Sequence, residues 1–283
     1  MEVGVGLPTS VEGATPDVLA QWAQRADAGP FASLGVVDRM RYRCYEPMTS
    51  LAFAAGVTTR IGLVTMVVIG PVRTAATLAK EAATIDAISG GRFTLGMAVG
   101  ARDEDFDALG ISPRGRGDRM EDQLYDLRTV WEQPHTNHLL PNEFGPRLLV
   151  GGMSDVTFLR AARFADGYVH GGGPPRTFER AASRTRTAWA EWDRRGEPRL
   201  WAQGYFALGD EDEIERARAY MLDYYAFTGP FAERIAEGLL TTPQAIAQFV
   251  RGYAEAGCEE LVLLPALSNL EQLDRLADVL TGA

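Results

Sequence analysis

Short apolar runs recur along the chain at 3–8, 34–38, 61–69, 92–100, 148–151, 167–170, 200–208 and 260–264, each closed by glycine, proline or a polar residue. Runs this short, rich in Val, Ile and Leu, read as strands buried on both faces, as a parallel sheet requires. Between them the period changes from two to 3.6. Leu78, Ala82, Ile85 and Ile88 fall on one helical face; Thr74 stands where a cap belongs, and Gly90-Gly91 ends the pattern. Met120, Leu124, Leu127 and Trp131 repeat the spacing, as do Ile214, Ala217, Met221 and Tyr225, and then Leu270, Leu273, Ala277 and Leu280. Eight strand–helix units predict an α/β fold, a single (β/α)8 TIM barrel over residues 1–283. The alternative is an open doubly wound sheet. It is disfavoured because the first strand–helix turn reads Leu7-Pro8-Thr9-Ser10, without a glycine-rich dinucleotide fingerprint.

Composition narrows the partners. The 283 residues carry a net charge of −10, which would be repelled by a nucleic acid or an anionic membrane surface. No apolar stretch reaches the roughly 18 residues of a membrane span, and the amino-terminal residues lack a signal-peptide pattern. Cys44 and Cys258 form no paired motif, so a reducing, cytoplasmic location is expected. Lys80 is the only lysine, so the basic charge is almost all arginine.

In a barrel of this type, chemistry gathers where strands end and the following loops begin. Those ends offer Asp38 and Arg39, Met66 to Ile69, Gly100 with Arg102 and Asp103, and Gly151-Gly152-Met153-Ser154. They also offer His170 with Gly171-Gly172-Gly173, and Tyr205 with Phe206. Two neighbouring turns, Gly151-Gly152 before Ser154 and Gly171-Gly172 before Pro174-Pro175-Arg176, set bare main-chain amides at helix starts. Ser154 is placed to cap its helix. Together the turns point to a phosphorylated cofactor. Asp38 and Arg39 read either as a structural ion pair or as a polar pair at a cofactor ring. His170 reads as a hydrogen-bonded strand-end histidine with acid–base chemistry as the rival, and the acidic run Asp103 to Asp107 as a solvated helix start. His135 and His138 lie in a loop-like stretch, and no metal site is expected from so few ligands.

The stretch 73–100, with Ala79-Lys80-Glu81 and Ser89-Gly90-Gly91-Arg92-Phe93, resembles the signature of the luciferase-like flavin- and deazaflavin-dependent oxidoreductases. The resemblance continues through Ala108-Leu109-Gly110, Arg114 to Arg119, Leu149-Val150-Gly151-Gly152-Met153-Ser154 and Ala165-Asp166-Gly167-Tyr168. It implies a (β/α)8 barrel that binds coenzyme F420 or FMN at the strands' C-terminal ends. Thr65, Met66 and Val67 would occupy the third-strand segment that often carries a non-proline cis peptide behind the ring. Gly151 and Gly152 would take the cofactor phosphate. Asp38 would contact the deazaflavin. The resemblance further implies a small-molecule substrate and, by analogy, a homodimer.

Two departures stand out. The position after Asp38 is often histidine in the deazaflavin branch and here is Arg39, a fixed cation suited to polarising a carbonyl rather than moving a proton. The segment between Trp131 and Leu148 is shorter than in relatives. The expected function is hydride transfer between a small organic substrate and F420. Asp38 and Arg39 would stand at the reacting centre; Thr65, Met66, Val67, Gly100, Gly151, Gly152, Met153, Ser154, Gly171, Gly172 and Arg176 would hold the cofactor. The alternatives are an FMN-dependent monooxygenase or reductase, and a non-catalytic cofactor-binding protein.

Overall fold

The computed structural model describes residues 1–132 and 145–282. The strands are β1 (Glu2–Gly6), β2 (Ser33–Val36), β3 (Gly62–Thr65), β4 (Val68–Ile69), β5 (Phe93–Ala98), β6 (Arg147–Gly151), β7 (Gly167–His170), β8 (Arg199–Phe206) and β9 (Glu260–Pro265). All pair in parallel, in the order β3-β2-β1-β9-β8-β7-β6-β5-β4, and a β3–β5 pairing closes the ring. Because β3 and β4 are two pieces of one strand, the closed sheet is an eight-stranded barrel. Closure excludes the doubly wound alternative.

The third strand is where the structure departs from the sequence pattern. The run 61–69 is continuous in hydropathy but breaks at a cis Met66–Val67 peptide. Beside the break, the buried Thr65 hydroxyl donates to the Gly96 carbonyl and accepts from the Gly96 amide, both at 2.8 Å. Gly96 is required for this approach, since a Cβ there would lie 2.2 Å from the Thr65 carbonyl oxygen. The second strand also stops earlier than expected, at Val36, leaving Asp38 and Arg39 in the loop that follows.

Around the ring lie α1 (Pro16–Ala28), α2 (Pro47–Val57), α3 (Ala75–Ser89), the short α4 (Asp103–Asp107), α5 (Arg116–Trp131), α6 (Asp155–Phe164) and α7 (Pro175–Glu191). They are followed by α8 (Glu211–Tyr224), α9 (Phe231–Ala236), α10 (Pro243–Glu255) and α11 (Glu271–Thr281). Local signals set their ends. Thr74 caps α3 by accepting from the Thr77 amide, and left-handed Gly90 stops it. Asp210 and Glu213 form a reciprocal capping box on α8. Pro175 opens α7 with Pro174 at its cap. The connection from β8 to β9 carries three helices, where the spacing suggested one.

Alternate residues of β3, β6, β8 and β9 enter two separate cores. Leu63, Leu148, Val150, Leu200, Ala202, Leu261 and Leu263 face the helices, against Trp22, Leu78, Trp131 and Phe178. Val64, Leu149, Trp201, Tyr205, Val262 and Leu264 fill the barrel interior. This two-sided burial explains the near-continuous apolar runs. Among the described residues both cysteines are free, and no helix is long and apolar enough to cross a membrane.

Candidate functional site

The C-terminal rim of the barrel opens into a cleft of about 510 Å³. Asp38, Met66, Val67, Gly100, Gly151, Gly152, Met153, Ser154 and Gly171 all line it, so strand ends scattered over more than a hundred residues converge on one wall. Thr65 lies just beneath, engaged with Gly96. Gly172 and the exposed Arg176 stand outside the lining, further along the loop from Gly171. A larger cavity of about 810 Å³ sits on the same rim between Ser10, Tyr42, Tyr220 and Leu267. It contains none of the rim glycines. Ser10–Tyr220 and Tyr42–Asp223 hydrogen bonds, at 2.7 and 2.6 Å, cross its wall.

Asp38 and Arg39 do not pair with each other. The Asp38 Oδ2 atom accepts from the Ile69 amide and the Arg73 guanidinium, both at 2.9 Å. Its Oδ1 atom is buried without a partner, in a residue that lines the cleft. Burial pushes the Asp38 carboxyl above the usual carboxylate range, against the pull of Arg73. Arg39 turns the other way. Its guanidinium meets Glu104 and Asp105, donates to the Tyr224 carbonyl at 2.9 Å, and packs 5.0–5.9 Å from the Tyr42, Tyr224 and Phe227 ring centroids. The expectation that Arg39 stands at the reacting centre is therefore corrected: it is absent from the cleft lining, and its guanidinium points behind the wall to Glu104, Asp105 and Tyr224.

Two further readings change. Ser154 occupies the cap position of α6, but its hydroxyl meets the Thr157 hydroxyl at 3.1 Å instead of a main-chain amide. Within the acidic run, Asp105 is wholly buried rather than solvated; its Oδ1 accepts from the Met40 and Arg41 amides at 2.9 and 3.0 Å. Asp103 is exposed and pairs with Arg116. His135 and His138 lie outside the described residues.

The glycine turns are joined from below. The Tyr168 hydroxyl lies 2.8 Å from the Gly152 carbonyl and 3.0 Å from His170 Nδ1. His170 Nε2 lies 3.2 Å from the Thr177 hydroxyl, which donates to the Pro174 carbonyl. Burial lowers the His170 pKa to about 4, so the imidazole is neutral at pH 7. Gly152 adopts φ +142°, and a Cβ there would lie 2.6 Å from the Thr157 hydroxyl.

The far wall contains residues that the strand-end rule does not reach. Tyr224, Tyr225 and Phe227 come from the end of α8 and the turn after it, and Arg116 from the start of α5. Arg102 is sandwiched near Tyr224 and Phe227, 5.1 and 4.4 Å from their centroids. The Tyr224-Tyr225 pair at the end of a helical period was the available signal for this wall. The nearby Cys44 thiol is pushed up to about 11 by burial, which keeps it protonated.

The barrel, the split third strand and the glycine turns agree with the sequence comparison, in which the luciferase-like monooxygenase profile matches residues 1–260. The chain belongs to the luciferase-like monooxygenase family. An uncharacterised protein from Mycobacterium tuberculosis is 30% identical over 190 residues, covering 60% of this chain and 64% of that protein. The pyrimidine monooxygenase RutA of Methylobacterium radiotolerans is 30% identical over 218 residues, covering 68% of this chain and 54% of the relative. The chain thus spans less than two thirds of the length of these curated relatives. Among solved structures, an F420-dependent secondary alcohol dehydrogenase in complex with an F420-acetone adduct has a TM-score of 0.81 at 15% identity, over 98% of this chain and 97% of that one. Monooxygenase RslO1 from Streptomyces bottropensis has a TM-score of 0.80 at 20% identity, over 100% and 98%. At these identities the likeness speaks for the luciferase-like fold.

Proposed function

We propose that this luciferase-like protein is an oxidoreductase that moves a hydride between a small organic substrate and coenzyme F420. The observation that carries the reading is the buried carboxyl of the cleft residue Asp38, with one oxygen committed to Ile69 and Arg73 and the other unpartnered. An orphaned buried oxygen is costly unless a ligand completes its bonding. The rest of the cleft fits the same group. A Cβ at Gly171 would meet nothing within 4 Å, so the main chain there is open to a tail phosphate. Arg102 and Arg116 also line the cleft, each facing a carboxylate, Asp105 at 3.9 Å and Asp103 at 3.0 Å, from which an anionic ligand could draw them.

When bound, the deazaflavin supplies the ring carbon that accepts or gives the hydride. The chain supplies position. In this reading Asp38 fixes the ring edge; with its pKa raised, the carboxyl serves as donor when protonated and acceptor when ionised. The amides of the Gly151-Gly152 and Gly171-Gly172 turns take the phosphate, and Arg176 stands where a longer anionic tail would leave. Tyr224 and Phe227 exclude water from the far side.

The description of the family profile and the name of the RutA relative favour a second reading, an FMN-dependent monooxygenase in the same cleft. Separate titrations with F420 and FMN, followed by fluorescence and native mass spectrometry, distinguish the two. F420 bound at least tenfold more tightly supports the first reading. The reverse order supports the second, checked by oxygen uptake with reduced FMN. Binding of neither removes both.

A further inference from the structure

We propose that the Tyr205 hydroxyl is the hydrogen-bond donor that holds and polarises the substrate's oxygen, and that Tyr225 is the positioning residue that aims it. The inference rests on the reading above, taken with the family resemblance, which sets Met66 and Val67 behind the ring. In the closed ring, β8 is four strands from the split third strand in either direction, and so stands diametrically across the barrel mouth. Gln203 and Tyr205 are alternate residues of β8, share one face, and both line the cleft. A substrate resting on the exposed face of the ring would therefore meet β8.

Tyr205 has a donor to spare. The Tyr225 hydroxyl donates to the Tyr205 hydroxyl at 3.2 Å. A phenol has one proton to give, and that of Tyr205 has no acceptor among the described residues. The two rings meet edge to face at 5.8 Å and 88°, which limits how Tyr205 can turn. Burial raises the pKa of both phenols, Tyr205 well above its ordinary value, so they serve as donors and not as bases.

Tyr225 is held in turn. Its neighbour Tyr224 gives its carbonyl to Arg39, which is caged by Tyr42, Tyr224 and Phe227. This gives Arg39 a role in the site although it stays outside the cavity. Val37, Val169 and Tyr224 make the surroundings of the donor largely apolar. A desolvated donor in such surroundings selects a small uncharged molecule with one oxygen acceptor: a ketone, an aldehyde or the corresponding alcohol.

The test uses cyclohexanone labelled with ¹³C at its carbonyl, read by isotope-edited infrared spectroscopy on the full chain with and without F420. The bound carbonyl band is expected at lower wavenumber than in an apolar solvent. In Tyr205→Phe the displacement should vanish and cyclohexanone affinity fall about tenfold, the effect of one lost hydrogen bond. In Tyr225→Phe the band should broaden while keeping part of its displacement, which a merely structural role would not produce. F420 affinity should be unchanged in both variants. Site-specific 3,5-difluorotyrosine at position 205, a stronger donor of nearly the same shape, should move the band further and keeps the test open if Tyr205→Phe does not fold. No binding of cyclohexanone by the unmodified protein, an undisplaced band, or the same displacement in Tyr205→Phe would each overturn the assignment. Failure of F420 to bind, with the Tyr205-dependent displacement intact, would instead remove the cofactor reading and leave the donor in place.

Discussion

Along the rim from Gly100 through Gly152 to Gly171, the cleft is walled largely by main chain: glycine turns braced beneath by Thr65, Tyr168 and His170. Across the mouth, from Arg102 to Phe227, it is walled by aromatic rings and guanidinium groups. The first side offers amides that suit a group common to many substrates' chemistry, a cofactor tail. The second offers shapes and single donors that select one substrate. The division suggests that the ring-built wall can change without disturbing the main-chain wall.

Four experiments would break or sharpen that contrast. The largest effect is expected from Arg39→Ala. It strips a buried cation from Asp105, whose side chain is 0% exposed, and should cost about 3–5 kcal/mol in urea unfolding. A loss below about 1 kcal/mol would mean that the ring wall stands without its anchor. Next comes the pH response of the main-chain wall. The His170 pKa is lowered to about 4, from 6.5 for an unperturbed histidine. The unfolded chain therefore takes up a proton that the folded chain refuses as pH falls through this window. The stabilisation is full above about 6.5 and lost towards pH 4, by roughly 3 kcal/mol in all. His170→Gln should flatten this part of a stability–pH curve measured by denaturant titration, and an unchanged slope would contradict it.

Gly152→Ala should cost about 1–3 kcal/mol, from the positive φ and the collision with Thr157, and should weaken cofactor binding far more than Tyr225→Phe does. Equal losses in the two variants would erase the distinction between the walls. The smallest effect is expected from Arg176→Gln. This exposed residue should leave the melting temperature unchanged and weaken F420 by less than about tenfold at low salt, with no difference at high salt.

The main-chain wall was the more legible in the sequence, for a physical reason. Glycine and proline punctuate apolar runs locally, so strand ends, Gly151-Gly152 and the Thr74 cap are written within a few residues. The break at Met66–Val67 is not, because Thr65 to Ile69 keeps an unbroken strand-like hydropathy; only the resemblance pointed there. Asp38 was found as a strand-end carboxylate, but its partner Arg73 lies 35 residues on. Asp105 is indistinguishable from its acidic neighbours until the amides of Met40 and Arg41 are seen to fold onto it. The ring wall depends wholly on such distant meetings. Arg39 reaches Tyr224 across 185 positions, and no local period records that.

The loop after the second strand gives consecutive side chains different partners: Asp38, which lines the cleft, meets Ile69 and Arg73, and Arg39 enters the packing behind it. Because the two residues are adjacent, inserting one amino acid between Val36 and Asp38 would displace both from the partners they now hold, Ile69 and Arg73 for the acid and Glu104, Asp105 and the Tyr224 carbonyl for the base. The length of this short loop thus fixes two separate sets of contacts at once, one beside the cleft and one behind it.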